Sequence, residues 1–165
     1  MWGALRRLGV SPRDAADVAQ ETFLRVHREL HKFERERPLR PWLFAFAFHS
    51  ARDYRRLARH RIEVMAELED DADGGPLPDA NLAQREQQAL VEAALLRIPV
   101  ERRAVLVAYE LEELPMQEIT AALSIPLHTG YSRLRQARVE FRDAVLSLAE
   151  QPAVRPSSAT TKGAL

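Results

Sequence analysis

The stretch that decides the fold is Met116-Gln-Glu-Ile-Thr-Ala-Ala-Leu-Ser-Ile-Pro-Leu-His-Thr-Gly-Tyr-Ser-Arg-Leu-Arg135. Its first residues predict a short helix over about 116–123, and Ser124-Ile125-Pro126 has the composition of a turn. A long helix to about Leu148 follows, because apolar residues recur there at steps of three and four. This order is the pattern of a helix-turn-helix. The predicted buried side of the long helix is Leu127, Gly130, Leu134, Ala137, Phe141, Val145 and Leu148.

The opposite side of the long helix is polar. Thr129, Ser132 and Gln136 lie there, and Arg133 and Arg135 flank them. Hydroxyl, amide and guanidinium groups in this arrangement can bond base edges and phosphates in a major groove. An amphipathic helix after a short helix also occurs in ordinary bundles, so the spacing alone leaves both interpretations open.

A second informative stretch, Asp14-Ala-Ala-Asp-Val-Ala-Gln-Glu-Thr-Phe23, lies near the start of the chain. Ser11-Pro12 before it predicts a helix that begins near residue 12 and runs to about residue 33. Its predicted buried face is Ala15, Ala19, Thr22, Val26, Leu30 and Phe33. The opposite strip is Asp17, Gln20, Glu21, Leu24 and Arg28. A leucine within a polar strip suits contact with a protein partner, although a solvated face with one exposed leucine is the more ordinary explanation.

The next helix is predicted from Pro41 to about Arg61, after a connection over residues 34–40, with His49-Ser50 as the candidate point for a bend. Its aromatic residues precede five arginines: Phe44, Phe48, His49 and Tyr54, then Arg52, Arg55, Arg56, Arg59 and Arg61. Rings that stack on bases and arginines that hold phosphates would bind single-stranded DNA. The same composition has a second explanation: the rings are buried in a core, and the arginines form a solvated helix end.

The chain divides at residues 62–83, which contain seven acidic residues and no basic ones. Such a composition predicts a flexible linker. Helical patterns cover residues 84–98 and 100–112, and no stretch alternates with period two. The predicted fold is therefore all-α, with two small helical domains at 1–61 and 84–150, the linker at 62–83 and a disordered tail at 151–165.

Composition narrows the function. Lys plus Arg equals Asp plus Glu at 24 each, so any contact with nucleic acid must use local patches. The chain has no cysteine, no signal-peptide pattern and no apolar stretch approaching the roughly 20 residues of a membrane span, which favours the cytoplasm. Metal-ligand spacing, a glycine-rich phosphate loop and a nucleophile motif are all missing from the sequence. Neither an enzyme nor a cofactor or metal is expected.

The two stretches, in this order and across such a linker, resemble the extracytoplasmic-function (ECF) sigma factors of bacterial RNA polymerase. The early matches are Asp14, Ala15, Asp17, Gln20, Glu21, Thr22 and Phe23, followed by Trp42, Leu43, Ala47, Ala51, Asp53 and Arg56. The late matches are Glu118, Ile119, Leu123, Ile125, Pro126, Thr129, Ser132, Arg133, Leu134, Ala137 and Arg138. The resemblance covers residues 14–61 and 84–148.

The resemblance implies a transcription initiation factor. The first domain, sigma region 2, would dock on the clamp of the largest polymerase subunit and melt the −10 element. The second, sigma region 4, would sit on the flap of the other large subunit and read the −35 element. Core RNA polymerase, promoter DNA and an anti-sigma factor are the implied partners, with no membrane insertion.

The resemblance also implies which residues bind the polymerase and the two promoter elements. It assigns polymerase binding to Asp17, Gln20, Glu21, Leu24 and Arg28. It assigns the −10 element to Phe48, His49, Arg52, Arg55 and Arg56. It assigns the −35 element to Thr129, Tyr131, Ser132, Arg133, Arg135, Gln136 and Arg138.

Departures from the family pattern keep two other functions open. Family members have a further helix before Asp14, of which only residues 4–8 match, so an incomplete first domain is expected. Gly130 replaces a buried valine and Pro115 a capping serine, which predicts a less stable DNA-reading unit. One alternative is therefore a degenerate sigma-like protein that binds polymerase or an anti-sigma factor without initiating. The other is a stand-alone helix-turn-helix regulator.

Overall fold

The computed structural model describes residues 1–64 and 82–150, with side chains described for residues 1–58 and 87–150. Within these ranges all the regular secondary structure is helical, which confirms the predicted all-α class. None of the described helices is both long and apolar enough to cross a membrane. The α-helices are α1 Trp2–Arg7, α2 Ala15–Glu29, α3 Leu39–Val64, α4 Leu82–Leu96, α5 Val100–Leu106, α6 Met116–Ala122 and α7 Leu127–Ala149. A 3-10 turn, Leu30–Lys32, follows α2, and a π-helical turn, Val107–Leu111, follows α5.

The helices extend into both ends of the stretch predicted as a linker. Residues 62–64 belong to α3 and residues 82–83 to α4. Residues 65–81, the rest of that linker, lie outside the described residues, as does the tail at 151–165.

The start of α2 differs from the prediction. The helix begins at Ala15 with Asp14 as its N-cap, three residues later than the predicted start near residue 12. The Ser11 hydroxyl accepts a hydrogen bond from the Asp14 amide at 3.2 Å and donates one to the Asp14 carboxylate at 3.0 Å. The bond from the Asp14 amide to Ser11 is the one that an N-cap serine makes, but residues 12–14 form a turn and the regular helix begins only at Ala15. The Tyr54 hydroxyl donates to the same carboxylate at 2.6 Å, which fixes the start of α2 against α3.

Helix α3 does not break near His49-Ser50, the point predicted for a bend or break. The helix continues through His49, and the small residues Ala47, Ser50 and Ala51 are buried along it. Small side chains allow close packing without a break in the helix. Leu30, predicted to be buried, is 51% exposed, because the chain changes to 3-10 geometry at this residue and the helical register shifts.

One cluster of buried side chains runs through both described parts of the chain. Helix α1 packs against α2, α3 and α4, and α3 packs against α6. Residues 1–64 and residues 82–150, called here the first half and the second half, therefore share a core. The large apolar members include Leu5, Leu8 and Phe44 from the first half and Leu95, Ile98, Val105, Met116 and Ile119 from the second.

Helices α6 and α7 meet at a glycine. Gly130 is buried, and a Cβ added there would overlap Thr120 Cγ2 and lie 2.8 Å from Met116 Sδ. The Thr120 hydroxyl bonds to the Met116 carbonyl at 2.9 Å, so its side chain is held in place. The expectation that glycine weakens this unit by lost volume is wrong, because no volume is available for a larger residue.

Gly130→Ala should therefore destabilise the protein. The steric cost of about 1–3 kcal/mol exceeds the gain of roughly 1 kcal/mol from helix propensity. Chemical denaturation followed by circular dichroism measures the difference. The matched control is Gly3→Ala in α1, where a Cβ would meet nothing within 4 Å, so that variant should be as stable as the parent or more stable. Equal stabilisation by both substitutions would contradict this account of Gly130.

Candidate interaction surfaces

The predicted partner strip on α2 is exposed along its whole length. We call Asp17, Gln20, Glu21, Leu24 and Arg28 the α2 strip; all five are exposed. The other side of the helix is fixed, because Ala15, Ala19 and Thr22 are buried. The Thr22 hydroxyl donates to the Val18 carbonyl at 2.6 Å, so this polar group needs no external partner.

Sequence reasoning missed an apolar neighbour of the α2 strip. Phe23 is 53% exposed and Leu24 is 51% exposed. The helical period places Phe23 between the buried face of α2 and the strip, so the sequence pattern could have located this residue. Two large apolar side chains within a polar rim form the kind of centre that protein interfaces use.

The residues assigned to the −10 element fall into two groups on α3. His49, Arg52 and Arg56 are exposed, whereas Phe48 is only 5% exposed. The Arg52 guanidinium lies 5.6 Å from the centre of the Phe48 ring. The Phe48 ring is therefore in the core in this arrangement of the helices, and its assignment to the −10 element remains a prediction.

Arg55 also points inward. Its Nη1 lies so close to Gly9 that an added Cβ there would be 2.6 Å away. Its guanidinium therefore packs against the turn after α1, and its assignment to the −10 element remains a prediction.

His49 lies among charged groups. Partial burial lowers its pKa, and the neighbouring Arg52 lowers it further, with Asp53 acting in the opposite direction. Asp53 binds Arg25 at 3.3 Å and Arg56 at 3.9 Å. A neutral imidazole at physiological pH can both accept and donate a hydrogen bond, which suits contact with a base edge.

The residues assigned to the −35 element lie along the first three turns of α7. Tyr131, Arg135 and Gln136 are exposed, and Thr129, Ser132 and Arg133 are partly buried. Arg138 is exposed but engaged, since it binds Glu110 of the π-helical turn at 2.6 Å and lies 5.7 Å from the Tyr109 ring centre. A phosphate would have to displace that carboxylate to bind Arg138.

Sequence reasoning also missed Arg103, the largest fully buried side chain. Its guanidinium donates to the Leu8 carbonyl at 2.8 Å, the Leu96 carbonyl at 2.9 Å and the Ile98 carbonyl at 2.7 Å. Burial, helped by nearby Arg55, lowers its pKa to about 9, so it stays charged at neutral pH. The signal in the sequence is the apolar run after it, residues 104–108, which places this part of α5 inside the core.

Arg103→Ala should be strongly destabilising, by about 3–5 kcal/mol, because it leaves three buried carbonyls without a donor. Arg103→Lys keeps the charge but cannot reach three carbonyls in a fixed fork, so it should lie between parent and alanine. Urea denaturation measures both. Arg102→Ala is the matched control: Arg102 binds Glu140 at 2.6 Å near the surface, and its loss should cost less than about 1 kcal/mol. Similar losses at the two positions would contradict the role given to Arg103.

Comparison with solved structures identifies the class of fold. The chain superposes on the sigma factor RpoE, solved with the anti-sigma factor NepR from Bartonella quintana, with a TM-score of 0.70 at 17% identity over 88% of this chain and 91% of that one. It superposes on CnrH, solved with the cytosolic domain of CnrY, with a TM-score of 0.62 at 25% identity over 90% and 80% of the two chains. The fold is that of bacterial sigma factors.

Sequence comparison shows which proteins the chain is similar to. Residues 1–61 match the model of sigma-70 region 2. The chain is 34% identical over 142 residues to the ECF RNA polymerase sigma factor SigE of Mycolicibacterium smegmatis, covering 83% of this chain and 54% of that one. It is 29% identical over 146 residues to the sigma factor CnrH of Cupriavidus metallidurans, covering 84% and 76%. It thus spans about half the length of SigE and three quarters of CnrH. The chain is thus similar to ECF RNA polymerase sigma factors, and its residues 1–61 match sigma-70 region 2.

Proposed function

We propose that this protein is a transcription initiation factor that binds core RNA polymerase and directs it to promoters by recognising −10 and −35 elements. It would act in the cytoplasm and without catalysing a reaction itself. The observation that carries the proposal is the joint exposure of the α2 strip and of polar faces on α3 and α7. A protein whose partner surface and DNA surfaces lie on different helices suits an adaptor between polymerase and promoter.

The α2 strip is the proposed polymerase surface. Leu24 and Phe23 supply apolar area, and Asp17, Glu21 and Arg28 supply a polar rim. Such a composition excludes water from the centre of an interface and adds specificity at its edge. The clamp of the largest polymerase subunit is the proposed partner.

The proposed DNA surfaces lie on the other two helices. His49, Arg52 and Arg56 of α3 are assigned to the −10 element, and Tyr131, Arg135 and Gln136 of α7 to the −35 element. The net charge of zero argues against tight binding to free duplex, because phosphate contacts supply most of the affinity of such complexes. This favours an adaptor that polymerase carries to DNA over a stand-alone regulator.

An anti-sigma factor is the proposed regulatory partner. RpoE and CnrH, the two structural neighbours, were each solved with one. Such a partner would compete with polymerase for this chain.

Leu24→Asp should abolish most of the affinity for core polymerase, by about 10- to 100-fold, because a charge enters the centre of the α2 strip. A binding titration with purified core polymerase measures this. Leu146→Asp is the matched control, since Leu146 on α7 is 55% exposed and outside all the proposed surfaces. If both variants bind like the parent, polymerase does not contact the α2 strip.

Arg135→Ala should weaken recognition of the −35 element by about 1–3 kcal/mol and leave polymerase binding intact. Transcription from promoters with matched and altered −35 elements measures the change. Arg142→Ala is the control on the same helix, because Arg142 is equally solvent-facing but bound to its neighbour Asp143. Undiminished discrimination between the promoters in the Arg135 variant would remove this residue from the reading surface.

A further inference from the structure

The helix assigned to the −35 element begins with exposed apolar side chains. Leu127, the first residue of α7, is 43% exposed, and Tyr131, about one turn later, is 50% exposed. The sequence pattern placed Leu127 on the buried side of this helix. That expectation is wrong, because the buried side begins at Gly130 and continues through Leu134 and Ala137. We call Leu127 and Tyr131 the apolar pair.

The two side chains of the apolar pair are neighbours. Residues four apart on an α-helix share a face, and their Cβ atoms are about 5–6 Å apart. Gly130 packs closely against Thr120 and Met116 of α6, so α7 cannot rotate to bury the pair. The folded chain therefore holds a small apolar patch on the surface assigned to DNA.

The segment that carries the apolar pair is positively charged. Residues 127–138 include three arginines, Arg133, Arg135 and Arg138, and no acidic residue. Glu110 is paired with one of them, Arg138, so two positive charges remain in excess. Arg135 is exposed and continues the line of the pair at the next step of four. Apolar groups beside cations fit a polyanion that also presents apolar groups.

Duplex DNA is such a polyanion. The C5-methyl of thymine is the alkyl group that it presents in the major groove, where the other bases offer hydrogen-bond donors and acceptors. The N-terminal residues of a recognition helix are the ones that contact base edges. Leu127 and Tyr131 lie in the first two turns of α7, so they are placed to cover such a methyl.

The spacing of the apolar pair fits neighbouring base pairs. Four residues advance about 6 Å along an α-helix. One base-pair step advances about 3.4 Å along the duplex. A helix that lies along the groove therefore brings Leu127 and Tyr131 to bases no more than two steps apart.

We infer that the apolar pair determines part of the promoter specificity: it selects thymines, one or two base-pair steps apart, through their methyl groups. This inference rests on the proposed function and names the bases that the α7 surface prefers. Arg135 and Gln136, both exposed beside the pair, would bond the base edges and phosphates next to these thymines.

Replacement of thymine by uracil tests the inference, because uracil pairs in the same way but lacks the methyl. A promoter library with a randomised −35 region would be made once with thymidine and once with deoxyuridine in that region. Duplexes captured by polymerase that carries this chain would be sequenced. Thymine should be enriched about 4-fold at each of two positions, the effect of burying one methyl, and uracil should not be enriched there. Equal enrichment of thymine and uracil would overturn the inference.

Substitutions assign the preference to the two residues. Leu127→Ala and Tyr131→Ala should each remove the thymine preference at one position. Tyr131→Phe should keep it, because the ring makes the contact. The matched control is Leu146→Ala, since Leu146 is 55% exposed on the same helix and lies outside the reading surface. An unchanged preference in both alanine variants of the pair would overturn the inference.

A photochemical measurement locates the contact on the chain. 5-Iodouracil carries iodine where thymine carries its methyl, and irradiation joins it to a nearby aromatic ring. In the selected element the crosslink should form on Tyr131, as mass spectrometry of the digested chain would show. Tyr131→Phe should retain the crosslink and Tyr131→Ala should lose it. A crosslink on another residue at both positions would overturn the assignment.

The free chain separates this inference from the proposed function. If polymerase does not bind the chain, the proposed function fails, and the same two libraries can be selected with the chain alone at low salt, where phosphate contacts are strongest. A preference for thymine over uracil there would support the apolar pair, and none would overturn it. Loss of affinity for core polymerase in Leu127→Ala, measured without DNA, would assign the pair to a protein partner and would also overturn the inference.

Discussion

The guanidinium of Arg103 is fully buried, connects the two described halves, and is bonded to no carboxylate of the residues that the structure describes. Backbone carbonyl groups compensate the positive charge of this guanidinium. Leu8 is the C-cap of α1, and Leu96 is the last residue of α4, so two of the three carbonyls belong to helix C-termini. Helix ends of this kind carry partial negative charge and unpaired acceptors. Arg103 thus satisfies acceptors that would otherwise be buried without donors.

Gly9 is part of the same contact. Gly9 has φ of +101°, and an added Cβ would lie 2.5 Å from Arg103 Nη1 and 2.6 Å from Arg55 Nη1. The turn after α1 therefore needs glycine for two reasons: its backbone angle and the two guanidinium groups against it. Arg55, which belongs to a basic helix by sequence, packs here against the turn that follows α1. Residues far apart in the sequence are constrained together by this one contact.

Local pattern predicted most of the helices and little of the contact between them. Helical periodicity located α2, α3, α6 and α7 within a few residues and identified the exposed side of α2, because the period alone decides which residues share a face. It did not locate Phe48 and Arg103, whose burial depends on packing between the two halves, or Arg55, which packs against the turn after α1. It also misjudged Gly130, because Thr120 lies so close that no larger side chain fits at this position. The assignments of residues to polymerase and DNA remain predictions.

Two of the arginines assigned to the DNA surfaces already hold carboxylates. Arg56 is bound by Asp53 and Arg138 by Glu110, and both pairs are solvent-accessible. A phosphate that binds either arginine must first replace its carboxylate, so the gain from each contact is smaller than for an unpaired cation. Such pairs weaken binding of the free protein to any DNA, whatever its sequence. In the proposed function, the affinity for a promoter would then come mainly from the polymerase, and this chain's own contacts would distinguish one promoter from another.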